Sequence, residues 1–335
     1  MKENYEAWEL AYGDFPLQGP LEAQLRFLIR FAVLAPSSHN SQPWRFVIGT
    51  NTIDVFIDET RIIPVADPHN RLVLMGVACA LENIVVAADY YRMKPMVIYF
   101  PEGNAVARVT CVSGKNVQER KDHLIFTIPR RRTNRERYAL TMPPASFLKT
   151  ITSLADNGVE VMAVFEERRR SLITDLLLGF RDKAFANNAF RGEIADYKRT
   201  NFTRSFLGMP GFTMGFSNIA SLFAPLIIRF VNVMKFIRPT EEALLKKHTP
   251  VFIFINSKAD SPVDWLRAGR LFQRIALQAE QVGIQTGINA LPRQSTELQQ
   301  LLGSRYIPQV FFRMGYTEAR PGHSPRLPAE KVVSS

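Results

Sequence analysis

The segment from Asp67 to Met93, "DPHNRLVLMGVACALENIVVAADYYRM", restricts the fold of this chain more than any other. Its long apolar stripe at helical spacing must be covered on folding, since leaving apolar surface in water costs about 25 cal/mol per Å2. The pattern predicts a central, largely buried helix, with Asp67 available as a cap and Pro68 where a missing amide hydrogen is tolerated. A chain of 335 residues can build a sizeable core around it, as one large domain or two smaller ones.

Upstream, Leu21, Leu25, Leu28, Phe31, Ala32 and Ala35 recur at helical spacing, and Pro36 predicts a stop near Leu34. "WRFVIG" and "TIDVFIDE" predict strands around a hairpin-like turn at Gly49, Thr50 and Asn51. "PMVIYF" and "VARVTCV" predict two more strands, and a first lobe closes near residue 125. The second half repeats this order imperfectly: a short helix from about Ala145, a strand at "VEVMAVFEE", a helix at "RRSLITDLLLGFRDKAF" and a buried strand at "VFIFIN". A further helix over "DWLRAGRLFQRIALQAEQVG", with Gly283 as its C-cap, and a last strand at "PQVFFRMG" complete it. The expectation is an α+β fold, helices around a central, mainly antiparallel sheet, in two intimately packed lobes over 1–125 and 126–335.

Residues 200–247 break the rhythm. Glycines, prolines and aromatics precede "NIASLFAPLIIRFVNVMKFI", a stretch with membrane-like hydropathy that Arg229, Lys235 and Pro225 interrupt. The reading is an insertion that folds over a cleft or packs as a helical arm, with Gly208, Gly211 and Gly215 letting it bend, rather than a stable membrane span. A helix on the bilayer surface is the minor alternative: Arg229 and Lys235 offer anionic-lipid contacts, but the polar face is thin. The first residues contain four acids and lack the apolar centre of a signal peptide, and Cys79 and Cys111 are the only cysteines. A cytoplasmic location is therefore expected.

Three stretches carry chemistry. "LAPSSHNSQPWRF", residues 34–46, packs serines, amides, a histidine and two prolines into one turn. "IPRRRTNRER" sets Arg130, Arg131, Arg132, Arg135 and Arg137 around Thr133 and Asn134; guanidinium forks beside a hydroxyl suit a phosphate monoester, while a solvated basic run is the plainer reading. "SPRLP" brackets Arg326 with prolines that limit its backbone and could present it to a fixed anion. Net charge is +11, but no zinc-finger spacing, RNA motif or recognition helix accompanies it, so nucleic acid is not the expected partner. Neither a GxGxxG after a strand nor a GxxxxGK loop is present.

Taken together these motifs resemble the nitroreductase superfamily of FMN-dependent proteins, in particular its long fused branch with two nitroreductase-like units in one chain. Pro36, Ser37, Ser38, His39, Asn40, Ser41, Gln42, Pro43 and Trp44 match the family's "PSxxNxQPW" loop. Arg131, Arg132, Thr133, Asn134 and Arg135 resemble its phosphate signature, Arg326 its late basic residue, and Gly283 to Leu291, "GIQTGINAL", its glycine-containing loop near the flavin. The resemblance covers about residues 20 to 332. It implies a fused pseudo-dimer, with 200–247 as a lid-like insertion, and FMN held by Pro36, Ser37, Ser38, Asn40, Gln42, Arg131, Arg132, Thr133, Arg135, Gly283, Thr286, Gly287 and Arg326.

Trp44 reads as a core anchor rather than a stacking partner, and His39 is assigned no proton transfer; no catalytic residue and no metal are expected. Since each half carries only a complementary part of a site, one FMN per chain is expected, whether the protein is a monomeric pseudo-dimer or a homodimer. The implied activity passes hydride from NADH or NADPH through the flavin to a small-molecule electron acceptor such as a nitroaromatic or a quinone. The alternative is an FMN storage or sequestration protein whose closed lid leaves little turnover.

Overall fold

Pro20 begins the first helix, where its missing amide hydrogen costs nothing, and the helix (α1, Leu21–Ala32) buries Leu25, Leu28, Ile29 and Phe31 completely. This computed structural model describes residues 2–114, 123–155, 158–289, 291 and 295–334. Beyond α1 come β1 (Trp44–Ile48), β2 (Thr52–Ile57), α2 (Arg71–Tyr90), β3 (Met96–Tyr99) and β4 (Ala107–Thr110). Next are α3 (Ala145–Thr152), β5 (Val159–Val164), α4 (Glu167–Ala186), α5 (Asn188–Asp196), β6 (Lys198–Arg199) and β7 (Met209–Pro210). Then follow α6 (Asn218–Phe230), α7 (Met234–Lys247), β8 (Val251–Ser257), α8 (Pro262–Gln281), β9 (Gln285–Asn289), α9 (Thr296–Leu302), β10 (Ile307–Gly315) and β11 (Val333–Ser334).

The fold is α+β, and its wiring occurs twice. One sheet has the order β11-β1-β2-β4-β3 and the other β5-β8-β10-β9. Setting β11 aside, each half lays its strands across the sheet as first, second, fourth, third, with every neighbour antiparallel. In each half a 20-residue helix, α2 or α8, joins the second strand to the third. What separates the halves is the link between their first two strands: a short turn between β1 and β2, but residues 165–250, holding α4 to α7, between β5 and β8.

Helices α2 and α8 pack on each other at the centre of the largest core cluster. Their close approach depends on Gly269, where a Cβ would lie 2.5 Å from the Met75 carbonyl oxygen. The polar groups between them are paired: Gln273 Nε2 donates to Asn83 Oδ1 at 2.7 Å, and Arg270 and Arg274 donate to the buried Glu82 carboxylate at 2.8 and 2.6 Å. Asp67 accepts the amide of Val73 at 2.9 Å and so satisfies a first-turn donor of α2, but the N-cap position is Asn70, with φ of 56° and no side-chain cap, and Pro68 lies ahead of the helix. α2 is long and apolar enough to cross a membrane, but 89% of its apolar stretch is buried inside the protein, as a core helix would be. The chain closes on itself at β11, which pairs parallel with β1 through Phe46 and Val333 and so ties the end of the second half to the first sheet.

Candidate functional site

The turn after α1 is held in a shape its residues rarely adopt. His39, Asn40 and Gln42 have φ of 53°, 55° and 52°, in the left-handed region where side chains other than those of glycine are disfavoured. Such a backbone persists only where its surroundings over-determine it. Here Ser37 Oγ accepts the Gln42 amide at 2.9 Å, and Arg61 donates to the carbonyls of Gln42 and Trp44 at 2.9 and 2.8 Å. Trp44, fully buried at the head of β1, anchors the turn in the core as expected. Gly76 on α2 leaves the room Ser37 occupies, since a Cβ there would stand 3.3 Å from that of Ser37.

The amide side chains of this turn bind protein groups. Asn40 Nδ2 donates to the carbonyls of Gly208 and Pro325, both at 3.0 Å, while its Oδ1 accepts from Arg326 Nη1 at 2.6 Å. Gln42 Nε2 donates to the Phe206 carbonyl at 2.7 Å, and its Oε1 accepts the Leu327 amide at 2.9 Å. Three remote pieces of chain, 36–43, 206–208 and 325–327, are thereby locked together.

Beside this junction lies a cleft of about 60 Å3, lined by Pro36, Ser37 and Asn40 and by Arg131, Arg132, Thr133 and Arg326. Its arginines are positioned from behind. Arg313 on β10, 1% exposed, donates to the carbonyls of Asn134 and Glu136 at 3.3 and 3.2 Å, and the Asn134 amide donates to the Thr286 carbonyl at 2.9 Å. Arg326 stacks over the Trp8 ring at 4.8 Å, and Trp8 stacks on His323 at 3.9 Å while donating to the Ser324 carbonyl at 2.9 Å. Arg132 meets the His323 ring at 2.7 Å.

The cleft is rich in donors that have no acceptor. Arg131 Nε and Nη1, Arg132 Nε and Arg326 Nε are buried without a hydrogen-bond partner among the described residues, and Arg131 and Arg326 are only 3% and 4% exposed. Burial lowers Arg131 to about 10, against the opposing pull of Cys79 and Glu280 and with a smaller push from Arg132, and burial followed by repulsion from Arg131 lowers Arg326 to about 9. His323 is pushed down to about 3 by burial and by Arg132, Arg326 and Arg131. Buried, mutually repelling guanidinium groups with free N–H bonds are stabilised by an anion that accepts several donors at once. The donor set fits a phosphate group.

Arg135, Lys198 and His39 lie close enough to repel one another, and the His39 ring stacks on Tyr197 at 5.8 Å. Burial and the charges of Arg135 and Arg181 lower Lys198 to about 7; burial, Lys198 and Arg135 lower His39 to about 4. Arg135 Nη1 donates to the Thr213 carbonyl at 3.4 Å. Thr133 and Thr286 form an isolated parallel bridge, and Gly287 beside it must lack a side chain: a Cβ would stand 2.4 Å from the Asn134 carbonyl oxygen.

Of the residues singled out in the sequence, the structure gathers Pro36, Ser37, Asn40, Arg131, Arg132, Thr133, Arg135 and Arg326 around one cleft. Gln42, Thr286 and Gly287 stand just behind its walls. Ser38 does not line it, and Gly283 caps α8 with φ of 78° instead of facing it. Ala290, within the glycine-containing stretch, lies outside the described residues. Trp8, His323, Lys198 and Thr213 were not read from the sequence as parts of the site; Trp8 lies in a stretch without periodicity, and no spacing rule links it to residue 326.

No protein-family model matches the chain. A protein of Mycobacterium tuberculosis (strain H37Rv) named "Putative NAD(P)H nitroreductase acg" is 24% identical over 322 residues, 92% of this chain and 94% of that one. A second M. tuberculosis protein, also named an NAD(P)H nitroreductase, is 28% identical over 136 residues, 40% of each chain. Among solved structures, the FMN-dependent nitroreductase NfnB of Mycobacterium smegmatis, in complex with NADPH, superposes with a TM-score of 0.41 at 16% identity, over 62% of this chain and 96% of that one. A nitroreductase-like protein from Bacillus cereus gives 0.39 at 13% identity, over 65% and 96%.

Proposed function

We propose that this chain is a member of the nitroreductase superfamily and an FMN-dependent oxidoreductase with two nitroreductase-like units in one polypeptide, taking reducing equivalents from NADH or NADPH to a small acceptor such as a nitroaromatic or a quinone. The observation that carries this reading is the meeting of Arg131, Arg132 and Arg326, with four buried N–H groups lacking acceptors among the described residues, against the turn at 36–42. Arg131, Arg132 and Arg326 would hold the phosphate, with Thr133 adding a hydroxyl. Arg135, at the cleft, and the neighbouring Lys198 add a positive field that favours negative charge there. When bound, FMN supplies the redox chemistry itself. The protein's part is to orient it, exclude water and control what reaches it.

The division of the site supports one FMN per chain: the turn comes from the first half, and the arginine run and Arg326 from the second. A second reading, FMN storage or sequestration, is favoured by the hydrogen bonds of Asn40 and Gln42 to Gly208 and Phe206, which hold residues 206–208 down. One experiment separates the two. Protein purified with its cofactor should release FMN and not FAD, at about one per chain, and the flavin should bleach within seconds of anaerobic mixing with excess NADH or NADPH in a stopped-flow instrument. Reoxidation by a nitroaromatic or quinone over many turnovers is the outcome expected of the oxidoreductase. FMN-loaded protein that neither nicotinamide bleaches would reject turnover in favour of storage, and a protein without flavin even after reconstitution would reject both.

A further inference from the structure

Helix α6 is built with its large side chains outside. Its buried positions are Ser221, Ala224 and Ile228: Ile228 packs with Ile194 and Ala195 of α5, while Ser221 meets Asn201 and Gly211. Ile219, Leu222, Phe223, Leu226 and Phe230 point outward with 51–73% of their surface exposed, and Phe236 on α7 is 72% exposed beside them in sequence. Scattered exposed apolar residues are ordinary; a contiguous helical face of them in a water-soluble surface is not. Neither proposed reading of the flavin site uses this face.

The charge of the segment identifies what covers it. From Tyr197 to Thr240 there is no aspartate or glutamate, but there are six lysines and arginines. Arg229 and Arg238 are tied to Asp196 and Asp182, whereas Lys235, next to Phe236, is exposed and forms no ion pair among the described residues. We infer that the α6–α7 face docks on an anionic membrane surface, its apolar side chains entering the interface and Lys235 meeting lipid headgroups. Geometry excludes a crossing by this element. α6 has 13 residues, about 20 Å of helix against a hydrocarbon core of about 30 Å, and α7 turns away from it by 111°. A second copy of the chain is a poorer occupant, because a twofold contact through the same stretch would bring no acid from residues 197–240 to meet Lys235. Apolar burial and attraction to anionic lipid instead act together, as in helices that lie in the interface plane.

Full-length protein is mixed with phosphatidylcholine vesicles, with and without phosphatidylglycerol, and bound protein is measured by co-flotation at low and high salt. Binding is expected only with phosphatidylglycerol and is expected to weaken with salt. Lys235→Gln should weaken it about fivefold. Replacing Leu222 and Leu226 together by glutamate should reduce it at least tenfold; both are exposed, so the fold is expected to keep its circular dichroism and melting temperature. If the protein ignores both vesicle types, or binds them equally with the two glutamates present, the inference fails. It fails equally if light scattering finds a dimer that the glutamates dissolve while vesicles capture nothing.

Discussion

Arg131 is buried with two side-chain nitrogens that find no acceptor among the described residues. Removing it should therefore hurt a bound phosphate more than it hurts the fold. Arg131→Ala is expected to weaken FMN binding by about 10- to 150-fold, the range for losing a charge-assisted contact of about 1.5–3 kcal/mol, while Arg168→Ala on the exposed face of α4 leaves it unchanged. Fluorescence titration with FMN and with riboflavin checks the assignment: riboflavin lacks the phosphate, so its affinity should hardly move. Equal losses for both ligands would place Arg131 elsewhere in the site. At this scale the sequence was informative wherever chemistry is carried by residue type and order, as in Arg131-x-Thr133-x-Arg135 or the prolines around Arg326. It was silent on Trp8 and His323, whose roles come from a stacking contact and a hydrogen bond that join residues more than 300 positions apart.

Among the elements, α2 and α8 set the spacing on which both halves depend, and that spacing rests on a missing methyl group. Gly269→Ala would force a Cβ to within 2.5 Å of a backbone carbonyl oxygen and 2.7 Å of Met75 Cα, so the helices must separate rather than a side chain rotate. Overpacking of this kind costs about 1–3 kcal/mol, and urea denaturation should show a lower midpoint with little change in slope. An unchanged midpoint would mean that the helices can slide apart without loss. Both helices were legible from their periodicity, and the strands from short apolar runs between turn residues. The equivalence of the two halves was only partly legible, because residues 165–250 separate strands that are adjacent in the first half. Backbone conformation was hidden for a different reason: three left-handed residues at 39, 40 and 42 are stabilised by tertiary hydrogen bonds that no local propensity records.

On the scale of the whole molecule, the two halves share more than a core. β11 completes the first sheet, and the segment ahead of it supplies Arg326 to the cleft and the Leu327 amide to Gln42. That arrangement has a consequence for how the protein is made. Asn40 and its partner Arg326 are 286 positions apart, so a ribosome adding roughly 5–20 residues per second needs about 15–60 s to deliver the second after the first. Through that interval the outer edge of β1 is an unpaired strand edge, open to the wrong partner, and the turn at 36–42 lacks the contacts that hold its unusual backbone. Flavin capture should accordingly be a late event in biosynthesis. Ribosome-bound chains stalled after residue 324 and isolated in the presence of FMN should carry no flavin, while chains released after residue 334 should acquire it; flavin fluorescence of the two fractions reads the difference, and equal loading would show that the arginine run alone can hold the cofactor.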